Sequence, residues 1–130
     1  MLDHISFAVN DFQESAKFYD GTLKILGIER YTTFETQERK VIGYGMNNRP
    51  YFWIVSDQNS NEHETVGKAL GFHVAFKATG VESVKAWYQK CLELGGIDNG
   101  APGPRIKYHP GLFWCFYHRP KWMENRSCTA

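Results

Sequence analysis

Residues 2–28 read LDHISFAVNDFQESAKFYDGTLKILGI, and residues 71–97 read GFHVAFKATGVESVKAWYQKCLELGGI. The two stretches align without a gap at an offset of 69. His4 falls on His73, Ile5 on Val74, Phe7 on Phe76, Phe18 on Trp87, Tyr19 on Tyr88 and Gly27 on Gly96. A repeat this long in a chain of 130 residues implies two copies of one supersecondary unit.

Each copy opens as a strand and continues as a helix. Ile5, Phe7 and Val9 alternate with His4, Ser6 and Ala8, the period of a strand with two unlike faces. Phe12, Ala16, Tyr19, Leu23 and Leu26 then recur at helical spacing. Asn10 or Asp11 is placed to cap that helix, and Gly27 to end it. The second copy gives a strand over 72–78 and a helix carrying Val81, Val84, Tyr88, Cys91 and Leu92, closed by Gly95-Gly96.

Shorter strand-like runs follow each helix: 29–34, 40–46 and 51–55 in the first copy, 106–109 and 112–117 in the second. Residues 56–65 are polar and without periodicity, a linker; NGAPGP at 99–104 is a loop by composition. The unit is β-α-β-β-β, used twice. The expected fold is α+β: two tandem βαβββ modules, 1–56 and 69–130, forming one domain over 1–130. Their strands are expected to make a curved mixed sheet around a central bowl.

Composition narrows the partners. Fifteen Lys and Arg against fourteen Asp and Glu give a net charge of +1, with no basic block of the kind a nucleic acid needs. No apolar run approaches the roughly 20 residues of a membrane span. MLDHISFAV lacks the basic start and cleavage site of a signal peptide, and three cysteines imply no disulfide framework. These features predict a cytoplasmic protein with reduced thiols, binding neither nucleic acid nor membrane.

The strand faces carry the chemistry. The bulky face packs under the helix, and the other presents His4, Ser6 and Ala8, or His73, Ala75 and Lys77. Small side chains beside a histidine suit a cavity wall. If the copies pack about a pseudo-twofold, the two imidazoles converge. Imidazole is the commonest nitrogen ligand of divalent metals, and two with one carboxylate suit ions that keep positions open.

The residues DHISFAVNDFQESAKFYDGTLKILG, GYG (43–45), FWIV (52–55), GFHVAFKA (71–78) and the run from Asp98 to Pro110 resemble the vicinal oxygen chelate superfamily. That superfamily includes glyoxalase I, bleomycin-resistance proteins, fosfomycin-resistance thiol transferases and extradiol dioxygenases. The resemblance covers residue 1 to about 116. It implies a divalent metal (Fe, Mn, Zn or Ni) acting as a Lewis acid on a small oxygen-bearing substrate. The ligands would be His4, His73 and a terminal Glu, and the activity a metal-dependent lyase or dioxygenase. A metal-free protein that sequesters a small ligand, of the bleomycin-resistance type, is the other implication. A homodimer is expected in either case.

The tail departs from that pattern. Relatives end in a strand like DPNGxxIEV, whereas this chain reads FYHRPKWMENRSCTA and puts Arg126 where the Glu is expected. A cation does not ligate a metal. Glu124, two residues earlier, is the available substitute. The genetic code adds an observation. Read one nucleotide later, the Trp122-Met123 junction must encode Gly and the Met123-Glu124 junction must encode Trp. The neighbouring junctions permit IIDPNGWKIEVA, with Glu spanning Arg126 and Ser127. A frameshift near 115–117 is therefore expected, with an impaired metal site as its consequence.

Tyr108 and His109 follow the NGAPGP loop and are candidates to hydrogen-bond or protonate a substrate oxygen; a strand-edge turn is the plainer reading. Phe52, Trp53, Phe113, Trp114 and Phe116 could floor an apolar pocket or fill the core. Arg49 and Arg105 suit an anion or surface ion pairs, His63 lies in the polar linker, and Cys115 reads as buried and inert.

Overall fold

The computed structural model describes residues 1–57, 73–104, 106–107, 113–114, 116–118 and 127–129. The chain divides into two compact units, Met1–Glu64 and Thr65–Ala130. The fold class is α+β, as the repeat predicts.

In the first unit β1 (Ile5–Val9) leads into α1 (Phe12–Leu23), followed by β2 (Glu29–Glu35), β3 (Arg39–Met46) and β4 (Arg49–Asp57). The sheet order is β1-β4-β3-β2; β1 runs parallel to β4 and the other pairs are antiparallel. Asp11 is the cap that the sequence left open against Asn10: its carboxylate accepts from the Glu14 N–H at 3.0 Å. A short 3-10 turn, Lys24–Leu26, prolongs the helix. Gly27 then adopts φ 74° and lets the Ile28 N–H reach Leu23 O at 3.0 Å.

The β3–β4 hairpin turns on Asn47 and Asn48, both left-handed at φ 53° and 60°. Two such residues match the right-handed twist of the flanking strands, and asparagine tolerates that backbone better than most side chains. Strand alternation sorts the rest. Phe7, Val9, Ile42, Tyr44, Phe52 and Ile54 are buried on the face under α1, against Phe18, Tyr19 and Leu23. Tyr19 meets Phe52 edge-on at 4.9 Å between ring centroids, and Phe7 meets Phe52 at 5.2 Å. Each such buried ring contributes about 1.5–3 kcal/mol by area. The phenol of Tyr44 donates to Asp20 at 3.0 Å, and Asp20 also receives Arg30 through two N–H groups at 3.1 and 2.5 Å. Helix and sheet are thereby joined at one polar point. Burial, then the Asp20 charge, pushes the Tyr44 phenol well above its usual range.

The second unit repeats the plan. β5 (His73–Ala75) precedes α2 (Val81–Glu93), β6 (Ile97–Asp98), β7 (Gly103–Pro104), β8 (Phe113–Trp114), β9 (Phe116–His118) and β10 (Ser127–Thr129). Its four-stranded sheet has the order β5-β10-β9-β6, again with the first strand parallel to the last. β7 and β8 form a separate two-stranded pair. Phe76, Val84, Trp87 and Cys91 are buried.

Several expectations change. The second-copy strand is shorter than 72–78, since residues 76–78 leave the sheet. Ile106 and Lys107 lie in a turn rather than a strand, because Gly103 and Pro104, not they, pair with β8. The loop reading of 99–104 holds only as far as residue 102. Gly95-Gly96 closes α2 as expected, with Gly95 left-handed at φ 94° and the Gly96 N–H bonded to Cys91 O at 2.7 Å. That is the bonding of Ile28 to Leu23, so the offset falls from 69 at the helix starts to 68 at their ends. The first copy spends the extra residue in its 3-10 turn.

Candidate functional site

His4 stands one residue before β1, with its side chain 56% exposed. Its Nδ1 lies 2.9 Å from Oδ1 of Asp3, and the other oxygen of that carboxylate pairs with the Arg49 guanidinium. Arg49 opens β4, so this cluster fastens the start of the chain to the strand beside β1. The hydrogen bond from His4, then the charge of Arg49, holds the Asp3 carboxyl below the usual carboxylate range. A carboxylate at Nδ1 engages the protonated ring nitrogen and leaves the Nε2 lone pair free. Arg49 thus has an ion-pair partner, as an exposed arginine ordinarily would.

The sheet face turned away from α1 is assembled by register. Ser6 pairs with Trp53, Trp53 with Gly43, and Gly43 with Thr32; one rung along, Ala8, Val55, Val41 and Phe34 follow each other. Ser6 and Ala8 are exposed, as the alternation predicted, and Trp53 is half-buried. The pair Phe52-Trp53 is therefore divided: Phe52 belongs to the core and Trp53 to the opposite face. The Trp53 ring occupies the space above Gly43, where a Cβ would come within 2.7 Å of it. The sequence named Gly43 only within GYG, as part of the resemblance; the signal for its packing was a glycine between the bulky Ile42 and Tyr44, inside a strand.

In the second unit His73 opens β5 and is exposed, as are Ala75 and Lys77, while Phe76 is buried and Val74 half-buried. His73 thus takes the place in β5 that His4 takes beside β1. β10 runs parallel to β5 and pairs Ser127 with His73. In the first unit Ile5 pairs with Phe52, which sets Tyr51 at the corresponding place next to His4. Neither neighbour is a carboxylate.

Both imidazoles are exposed and take equivalent positions, each within its own unit. Among the described residues no group of three His, Cys, Asp or Glu side chains could hold a metal ion. Tyr108, His109, Glu124, His63, Arg105 and Cys115 lie outside the described residues.

The model of the Glyoxalase/Bleomycin resistance protein/Dioxygenase superfamily matches residues 1–109. The chain belongs to that superfamily, the vicinal oxygen chelate group its sequence resembles. A glyoxalase/bleomycin resistance protein from Albidiferax ferrireducens T118 superposes with TM-score 0.71 at 22% identity, over 98% of this chain and 95% of that one. A mutant of the fosfomycin resistance protein FosX from Listeria monocytogenes, complexed with Mn(II) and 1S,2S-dihydroxypropylphosphonic acid, superposes with TM-score 0.64. It is 16% identical, with 99% of this chain and 89% of that one covered. A mutant glyoxalase I from Zea mays gives TM-score 0.68 at 19% identity, over 97% of this chain and 43% of its own. No curated protein matches the chain. No helix among the described residues is long and apolar enough to cross a membrane.

Proposed function

We propose that this chain is a small-molecule-binding member of its superfamily, built on an ancestral divalent-metal site that its present C-terminal strand leaves incomplete. One observation carries the reading: the residue that β10 sets against His73 is Ser127, not a carboxylate. His4 and His73 are the retained nitrogen ligands, with Glu124 the substitute carboxylate and Tyr108 and His109 the polar groups that meet the substrate. The FosX relative, complexed with Mn(II) and a dihydroxylated phosphonic acid, supports a small oxygen-rich ligand. The proposal extends to a cytoplasmic homodimer.

Metal analysis of the purified chain tests it, with His4→Ala and His73→Ala alongside. Weak Mn(II) binding that falls at least tenfold in either variant is the expected result. Binding that neither substitution changes would remove both histidines from the site.

A second reading has its own observation. Trp53 lies over Gly43 on a face that also carries Val55, Val41 and the exposed Phe34. Such a surface suits stacking of a flat, apolar ligand without any metal. Quenching of tryptophan emission by an aromatic ligand in chelator-treated protein, abolished by Trp53→Ala, would favour it.

A further inference from the structure

We infer that Asn99 is a site of spontaneous modification: the Gly100 nitrogen closes on its side-chain amide, expels ammonia, and leaves aspartate and isoaspartate in the connection between β6 and β7. The Asp98 carboxylate is the proton acceptor for that attack. The reaction needs neither His4 nor His73, and no metal.

The sequence offers one place for it. Asn99-Gly100 is the only asparagine–glycine pair in the chain. Glycine matters because the attacking nitrogen must swing toward the preceding side chain, and a Cβ on its own residue obstructs the approach. Asn10, Asn47 and Asn48 are followed by Asp11, Asn48 and Arg49, each of which carries one. Asn47 and Asn48 are also pinned as the turn of a hairpin whose strands pair on either side.

The local structure supplies the rest. Asn99 and Gly100 lie between β6 (Ile97–Asp98) and β7 (Gly103–Pro104), outside helix and ladder, and Asn99 is exposed. Gly100 adopts φ 142°, a backbone open to glycine and to few other residues. Its N–H donates to Oδ1 of Asp98 at 2.9 Å, so the proton that must leave the nitrogen already points at a carboxylate. Hydrogen bonds from Tyr88 and then from the Gly100 N–H hold the Asp98 carboxyl below the usual carboxylate range. At neutral pH it is therefore ionised and able to accept. Asp20-Gly21 could close by the same chemistry, and there the fold prevents it. Both residues lie inside α1, where the backbone is fixed, and the Asp20 carboxylate is engaged by Arg30 and Tyr44.

The atoms balance with water alone. The bond from Gly100 N to Asn99 Cγ forms as the amide proton passes to Asp98. The bond from Cγ to the side-chain nitrogen then breaks, and Asp98 returns the proton to the departing ammonia. Water opens the cyclic imide at either carbonyl. Both products put a second carboxylate beside Asp98, and isoaspartate also lengthens the main chain by a methylene ahead of β7.

Peptide mapping by mass spectrometry of the purified full chain, aged at neutral pH, tests the inference. Asn99 should convert faster than every other asparagine, with isoaspartate the larger product. It should convert at least as fast in the folded chain as in a synthetic peptide of residues 97–104. Asn99→Gln should abolish the more acidic species on isoelectric focusing. Asp98→Ser, which keeps a short acceptor but no ionised base, should slow the conversion at least threefold. An unmodified Asn99, a different asparagine reacting first, or a folded chain slower than the peptide would overturn the inference. An unchanged rate in Asp98→Ser would overturn the role of Asp98.

Discussion

The indole of Trp53 lies over the backbone of Gly43, on the neighbouring strand and on the sheet face turned away from α1. The glycine is what makes room for it. A Cβ there would sit 2.7–2.9 Å from three ring atoms, below any normal contact. The indole is the movable partner, so Gly43→Ala displaces the ring rather than the strand. The expected cost is about 1–3 kcal/mol, with a shift in Trp53 emission and weaker binding of aromatic ligands. Chemical denaturation read by tryptophan fluorescence measures the first two together, and unchanged emission would contradict the packing.

Gly45 is the harsher case. A Cβ there would lie 1.9 Å from the carbonyl oxygen of Arg49, across the irregular pairing at Pro50. Backbone cannot rotate away as a ring can. Gly45→Ala should therefore destabilise more than Gly43→Ala, and soluble yields with melting temperatures give the order directly.

The bond from Tyr44 to Asp20 is made by a buried phenol to an ionised group, so Tyr44→Phe should cost about 1.5–3 kcal/mol. The pH dependence has a definite sign. The folded phenol has a raised pKa, so its contribution is complete below the ordinary value of 10.0 and is lost as pH rises above it, when only the unfolded chain ionises. Alkaline unfolding curves of the wild type and Tyr44→Phe should converge above pH 10, and parallel curves would count against the network.

Asp11 accepts from the Glu14 N–H at the start of α1. Asp11→Ala should cost about 0.5–2 kcal/mol, and Asp11→Ser should recover most of it. Asn10→Ala serves as the control and should change little.

The repeat made much of this legible before any coordinates. Period-two alternation at Phe7 and Val9, helical spacing from Phe12 to Leu23, and glycines at 27 and 95–96 are local signals, and each element forms where they stand. What escaped was register. Nothing in FWIV says which aromatic faces the core; that follows from the pairing of Ile5 with Phe52. The short β6 and β7 also escaped, because two-residue strands carry no period. At the candidate site the histidines were visible as a repeated pair. The pairing of Arg49 with Asp3 was not, since it joins residues 46 positions apart.

The central claim is that the place opposite His73 lacks a carboxylate, and one substitution addresses it. Mn(II) affinity should be compared in the wild-type chain, Ser127→Glu, and Ser127→Glu with His73→Ala. The account predicts a gain of at least tenfold in the single variant and its loss in the double. No gain, or a gain that survives removal of the imidazole, would contradict it.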